Sequence, residues 1–526
     1  MAPPAKRERT GRHAFLVASG ILLSRIFGLV RQRIFSRYFG LSDAAGAFNA
    51  AFKIPNYLQN LFGEGVLSAS FIPVYARLLA EGDEEEAGRV AGAVAAILAL
   101  VVSVAVLIGI IATPLFIDVI APGFHGATRE LTIRIVRVLF PSVGLLVLSA
   151  WCLGILNSHR RFFLSYTAPV LSSVAMIATM VAFRRQTQSS LAITLAWGSV
   201  VGSGLQFGVQ LPRVLRLARR LRVRLDTHNA NVREVMRNFG PVFVSRGVVQ
   251  ISGYVDSILA SLLGPSPVAA LFTAQTISML PVSLFGMAVS AAELPAMSSA
   301  LGDEAQVAAV LRQRLNSALR QIAFFVAPSA IAFLALGDMI AATLYLNGAF
   351  TYADCVYVWG ILAGAAVGLF ASTLGRLYSS AYYALRDTRT PLNFAVIRVA
   401  LTTVLGYVCA LPLPKALGLE PRWGVAGLTA SAGIASWVEF TLLRRSLNRR
   451  IGASGLPASF VARIWAAAVI AAAVAWGVKL LTGVAHPPFD GIAILGAYGA
   501  LYLAVTHLLG VEETASALRR LARFRR

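Results

Sequence analysis

Six ionisable side chains sit where water should be scarce. Arg25, Arg31, Arg33 and Arg37 fall in one apolar stretch and Lys53 and Glu64 in the next, all within residues 24–75. Each stretch is long enough to cross a bilayer, which takes about 20 apolar residues. A charge held at mid-membrane costs roughly 2.5 to more than 10 kcal/mol, so these groups must end at an interface or face a wet cavity. Arg33 and Arg37 share a helical face, whereas Arg31 stands about 120° from Arg25. Arg37 is near enough to the outer surface to snorkel, and Arg33 can follow it. Arg25 and Arg31 lie deeper and are the cavity candidates, with Gly28 between them able to allow a bend. For each arginine the alternatives are snorkelling or an ion pair with Glu64. Guanidinium groups bind phosphate or carboxylate oxygens bidentately and stay charged, so such a cavity suits a polyanion. The chemistry is that of an exporter or flippase for an anionic amphiphile.

The elements that must position these groups are helices. The chain has 526 residues, is 57% hydrophobic and has a mean hydropathy of +0.70, beyond ordinary soluble composition. We expect an all-α polytopic membrane protein with fourteen transmembrane helices, near 14–38, 44–76, 90–113, 131–156, 162–183, 191–211, 239–263, 268–298, 321–345, 356–384, 391–411, 424–443, 461–482 and 490–509. The ten-residue alternation of an outer-membrane barrel is absent. A net charge of +23 would suggest nucleic acid in a soluble protein, but topology explains it better and no nucleic acid is expected. Cys152, Cys355 and Cys409 are too scattered for a disulfide framework or a zinc site. Residues 1–23 imitate a secretory signal yet run on without a cleavage site, so they read as the lead-in to a retained first helix. Phosphate-binding, dinucleotide, metalloprotease and nucleophile-elbow motifs are missing, so no enzyme activity and no cofactor is expected.

Lys and Arg crowd loops of one parity, above all 212–238, which places both termini in the cytoplasm; Arg184 and Arg185 on an outside loop run against the rule. The acidic run 83–86 reads as a solvated turn before a helix start. Ser24-Arg25 is echoed by Ser245-Arg246, and Leu61-Phe62-Gly63 by Leu284-Phe285-Gly286. The repeat spans six helices, so its halves share an orientation in the membrane. The expected organisation is a cytoplasmic segment 1–13, a first lobe 14–211, a basic cytoplasmic loop 212–238, a second lobe 239–443, a cytoplasmic loop 444–460, two added helices within 461–509, and a basic tail 510–526. Gly360, Gly364 and Gly368 suit close helix packing.

SRIFGLVRQRIFSRYFG at 24–40 with FKIPNYLQNLFGEGVLSASFIPVYA at 52–76 resembles the MurJ (MviN) family of lipid II flippases. The likeness continues through GILNSHRRFFLSYTAPV at 154–170, VDSILASLLG at 255–264, LFGMAVSAAELP at 284–295, NGAFTYAD at 347–354 and YYALRDTRTPL at 382–392. It implies the fold shared with multidrug exporters and polysaccharide flippases, in the bacterial cytoplasmic membrane. It also implies a substrate, undecaprenyl-diphosphate carrying the disaccharide-pentapeptide. The headgroup would enter a cationic cavity between the lobes, the polyprenyl tail would lie along the last two spans, and rocking of the lobes would move the headgroup outward. Membrane lipids and cell-wall synthesis proteins are the candidate partners.

By the same resemblance Arg25 and Arg31 match the family's cavity arginines, Glu64 its cavity glutamate, and Asp43 an acidic position opening the second span. Two family arginines are replaced, one by Gln59-Asn60 and one at Thr276 within Ala274-Gln275-Thr276. Arg246, in the repeat position of Arg25, is the candidate to replace the second; snorkelling at the cytoplasmic end of its span is the alternative. Na+ or H+ is the candidate coupling ion, with Asp256, Asp387 and Thr403 as its residues. Asp387 can equally be a helix N-cap beside Arg386 and Arg389. A flippase for another polyprenyl-diphosphate glycan or a drug/cation antiporter remains the alternative function.

Overall fold

A computed structural model describes residues 4–298, 303–482 and 487–515. The side chains of 4–19, 21, 64, 162, 241–242, 244–252, 291, 295–296, 482 and 487–488 are outside that description, which removes those of Glu64 and Arg246. The described secondary structure is helical, apart from an isolated bridge between Asn347 and Phe350. The chain divides into two compact units, 1–266 and 267–526.

The first unit holds α1 (Pro4–Phe39), α2 (Asp43–Phe62), α3 (Glu64–Glu81), α4 (Glu84–Ile111), α5 (Thr113–Ile120), α6 (Gly126–Ser158), α7 (Phe162–Ala182), α8 (Gln188–Leu217) and α9 (Ala230–Ser261). Gly40, at φ 56°, turns the chain between α1 and α2 in a conformation open to glycine. Ser42 then caps α2, its hydroxyl accepting the Ala45 N–H at 3.3 Å. The second expected span, 44–76, is two helices. They part at Gly63, where a Cβ would strike the Gln59 carbonyl that accepts the Gly63 N–H at 2.7 Å.

Packing adds to two sequence expectations in this unit. Helix α9, which opens the second lobe expected from 239, makes contacts within residues 1–266. Arg77 on α3 holds Glu234 at 2.8 Å and Asn231 at 3.0 Å, and Phe62 meets Phe243 at 5.0 Å between ring centroids. The acidic run is also more than a solvated turn. Asp83 caps α4 by accepting the Glu86 N–H at 2.9 Å, while Glu86 accepts from Asn229 at 2.6 Å and Asn231 at 3.0 Å. Glu85 meets Arg220 at 3.4 Å and Arg222 at 3.6 Å. At Gly88 and Gly92 a Cβ would overlap the carbonyls of Arg220 and Arg222, so the basic connection lies directly on α4. Composition marks such residues as soluble; only tertiary placement makes them a clamp.

The second unit holds most of α10 (Pro265–Pro281), a π-helical turn at Val282–Met287, and then α11 (Ala288–Ser298), α12 (Glu304–Tyr345), α13 (Tyr352–Ala384), α14 (Arg389–Ala410), α15 (Pro412–Ala416), α16 (Gly424–Ile451), α17 (Ala458–Thr482) and α18 (Pro487–Leu508). Helices α13 and α16 meet along the small residues. A Cβ on Gly360 would enter the Trp423 ring, one on Gly364 the Ala426 carbonyl, and one on Gly368 the backbone of Gly433. Gly368→Val is therefore expected to push α13 and α16 apart and destabilise the protein by about 1–3 kcal/mol, read as a lower thermal midpoint in detergent; an unchanged midpoint would remove the close-packing account.

Helices α17 and α18 lie against α12. Pro328 has no N–H to give the Phe324 carbonyl one turn back, and the Tyr502 hydroxyl donates to that carbonyl at 2.7 Å instead. Tyr498 donates to the Pro328 carbonyl at 2.7 Å. Arg320 meets Glu513 at 2.5 Å, and Lys479 meets Asp338 at 2.5 Å.

Eleven helices among the described residues are long and apolar enough to cross a membrane. Helices α1 and α2 are outside that set, and they carry Arg25, Arg31 and Lys53.

Candidate functional site

The site is built on α1, α2 and α9 of the first unit. Gln32, Phe35, Ser36 and Phe39 bury one stripe of α1, at the spacing of a helical face. At Gly20 helix α1 packs closely on α7, since a Cβ there would touch the Tyr166 side chain.

Arg31 is half-buried, its Nη1 donating to the Met176 sulfur of α7 at 3.7 Å and its guanidinium 5.7 Å from the centroid of Phe52 on α2. Among the described residues, none of the salt bridges includes Arg31. A thioether is a weak acceptor and a ring face accepts no proton, so the fork keeps donors for oxygen ligands. The second unit treats its embedded cations differently: Arg398 meets Glu439 at 2.9 Å and Lys479 meets Asp338. Internal neutralisation is thus available to this fold, which sharpens the contrast with Arg31. Arg25 and Arg37 are exposed and Arg33 is half-buried.

The remaining expected residues are dispersed. Glu64 opens α3 directly after the Gly63 break, where the helix N-terminus favours a negative charge. Asp43 is exposed in the first turn of α2, and Gln59 and Asn60 occupy its last turn, half-buried and exposed. Thr276 is on α10, its hydroxyl donating to the Phe272 carbonyl at 2.9 Å. Arg246 is on α9, and its side chain lies outside the described residues.

Sequence reading passed over the partner of Lys53. Its ammonium bonds the Ser257 hydroxyl on α9. Tyr254 donates to the Lys53 carbonyl at 3.0 Å and meets Tyr57 edge-on at 4.9 Å. An embedded lysine signals that some partner exists, but nothing in the sequence says which.

Two of the three cation candidates, Asp387 and Thr403, lie in the second unit and make local hydrogen bonds. Asp387 behaves as the helix-start alternative: it accepts the N–H groups of Arg389 at 3.1 Å and Thr390 at 3.0 Å, the Thr390 hydroxyl at 2.8 Å, and Arg450 at 2.7 Å. These donors hold its carboxyl down at about 2, with the Thr390 N–H the main cause. Thr403 is exposed and donates to the Val399 carbonyl at 2.8 Å. No cluster of three acidic, His or Cys side chains is present among the described residues.

Two helical units with many candidate membrane spans define a polytopic helical membrane protein. The family described as "Lipid II flippase MurJ" matches residues 35–489, and the chain belongs to it. It is 30% identical to the lipid II flippase MurJ of Burkholderia cenocepacia over 95% of this chain and 97% of that one. It is 29% identical to the probable lipid II flippase MurJ of Rhizobium meliloti over 94% and 93%. Among solved structures, a lipid II flippase MurJ in an inward closed conformation shares the fold, with a TM-score of 0.78 at 23% identity over 94% of this chain and 98% of that one. An inward-facing multidrug resistance MATE family transporter of the MOP superfamily aligns with a TM-score of 0.66 at 17% identity, over 84% and 100%.

Proposed function

We propose that this protein moves lipid II from the inner to the outer leaflet of the bacterial cytoplasmic membrane by alternating access. The reading rests on family membership and on one structural observation: Arg31, embedded between α1, α2 and α7, has no carboxylate partner among the described residues. A diphosphate supplies oxygens in the geometry that a guanidinium fork accepts. Arg25, Glu64 and the amides of Gln59 and Asn60 complete the proposed headgroup surface, with Arg246 assigned to it by the sequence repeat. The exposed apolar side chains of α17 and α18, such as Leu480, Leu481, Phe489 and Ile492, suit the polyprenyl tail. Membrane potential or a proton gradient is the proposed driving force.

The test is replacement of the resident flippase in cells depleted of MurJ, combined with leaflet accessibility of lipid II. Growth with lipid II exposed outside is the expected result. Absence of rescue, with the protein present in the membrane, would move the substrate to another polyprenyl-linked glycan.

In this reading α1, the α2–α3 pair and α9 also cross, giving fourteen crossings with both termini in the cytoplasm. Single cysteines at 114–130 and 346–355 should then be labelled from outside intact cells, and those at 212–238 and 444–460 should not. Labelling within 212–238 would overturn that topology.

A further inference from the structure

Arginine and asparagine recur at one spacing on two helices of the second unit. Helix α12 carries Arg312 and Asn316, and α16 carries Arg444 and Asn448. Residues four apart share a helix face, and both faces meet the short connection between α16 and α17. The asparagines grip it. Asn448 accepts the Ser454 N–H at 3.0 Å and the Ser454 hydroxyl at 2.5 Å, and Asn316 accepts the Gly455 N–H at 2.9 Å. Arg444 donates through Nε to the Ser454 carbonyl at 3.2 Å. Ser454 is buried by these contacts, and the connection is fixed between the two helices.

The arginines lie on its glycines. A Cβ on Gly452 would stand 2.6 Å from Nη1 of Arg312, and one on Gly455 2.6 Å from Nη2 of Arg444. Both glycines have positive φ, 84° and 144°, so the backbone there is bent as well as bare. Both arginines are exposed, so a ligand can reach them. Among the described residues neither has a carboxylate partner, whereas Arg314, Arg320 and Arg450 on the same two helices meet Glu293, Glu513 and Asp387. The acidic groups of this face are matched elsewhere, and the charge on the connection is surplus.

A guanidinium presents its donors in a fork that fits phosphate oxygens. Depth selects the source of the phosphate. The candidate spans Pro421–Ile451 and Ala458–Leu481 lie on either side of the connection, which puts it at the level of lipid headgroups. In the topology proposed above it faces the cytoplasm, where the leaflet carries anionic lipid and basic pockets between helices hold headgroups.

We propose that Arg312 and Arg444, set on the Gly452–Gly455 connection between α12 and α16, bind the phosphate of an anionic phospholipid headgroup. Occupancy neutralises the two charges and fastens the junction of α16 and α17 to the leaflet. The site lies wholly in the second unit and goes beyond the flippase reading.

The test uses purified full-length protein in neutral detergent without lipid II, so its outcome does not depend on the transported substrate. Phosphatidylglycerol is titrated and bound lipid is counted by native mass spectrometry. The variants are Arg312→Ala, Arg312→Ala with Arg444→Ala, and a control, Arg445→Ala with Arg449→Ala, that removes the same amount of charge from nearby. Arg312 makes no hydrogen bond to the connection, so Arg312→Ala should keep the wild-type thermal midpoint and still weaken binding. The Arg312/Arg444 double variant should lose about tenfold or more in affinity, and the control about twofold or less. Unchanged affinity in the double variant would overturn the site, and so would an equal loss in the control, which would mean a diffuse basic surface. In a second arm inorganic phosphate is added to the lipid-bound wild type. No displacement is expected. Displacement that depends on Arg312 and Arg444 would assign the site to free phosphate and overturn the lipid proposal.

Discussion

Arg31→Ala is expected to abolish rescue of flippase-depleted cells while leaving the protein at normal level in the membrane. The guanidinium lies between the Met176 sulfur and the Phe52 ring, and losing these weak contacts should barely disturb folding. Losing a desolvated charge from an anion site is a different matter. Truncating one side of a buried charged contact costs about 2–5 kcal/mol, or roughly 10²–10³-fold in headgroup affinity. Arg31→Lys should retain part of the activity, because a point charge survives without the bidentate fork. Arg25→Ala should act in the same direction but less strongly, since that side chain is exposed. Complementation and quantitative blotting separate the outcomes: full activity of Arg31→Ala would mean that the residue only snorkels, and loss of the protein would mean that it is structural.

The second large effect is expected at the junction of α17 with α12. Lys479 and Asp338 meet at 2.5 Å with side-chain exposures of 13% and 2%. Tyr352 donates to the same carboxylate oxygen at 2.7 Å. Lys479→Met strands a buried carboxylate, and single breaks of buried pairs cost about 3–5 kcal/mol. The variant should melt well below the wild type, whereas Lys479→Met with Asp338→Leu should return close to it. Equal midpoints for the single variant and the wild type would mean that the pair contributes nothing. The result bears on function because α17 and α18 are the proposed path of the lipid tail. A loosened α17 should lower flipping even with the headgroup residues intact.

Much of this architecture was legible in the linear chain, because helix formation and membrane insertion depend on local properties. Apolar runs, turn residues and cap residues specified the helices, and the density of charge between residues 24 and 64 pointed to α1 and α2 as the chemical elements. The resemblance motifs supplied the family. Glycines spaced by four announced the α13–α16 contact, since the small side chain is itself the signal for close approach.

Other features were decided only when distant segments packed. The acidic run at 83–86 became a clamp because the connection carrying Arg220 and Arg222 folds onto α4. Helix α9 joined the first unit through Arg77–Glu234 and Phe62–Phe243, contacts that no periodicity encodes. Asp387, plausible as an oxygen donor, is held at the start of α14 by the Thr390 N–H and by Arg450. The sequence by itself determined the family and the placing of charged residues within long helices, because both are written in local composition and motif. The tertiary structure decided which embedded charges neutralise one another. That choice depends on the few ångströms between side chains brought together from distant parts of the chain, as when α17 sets Lys479 against Asp338.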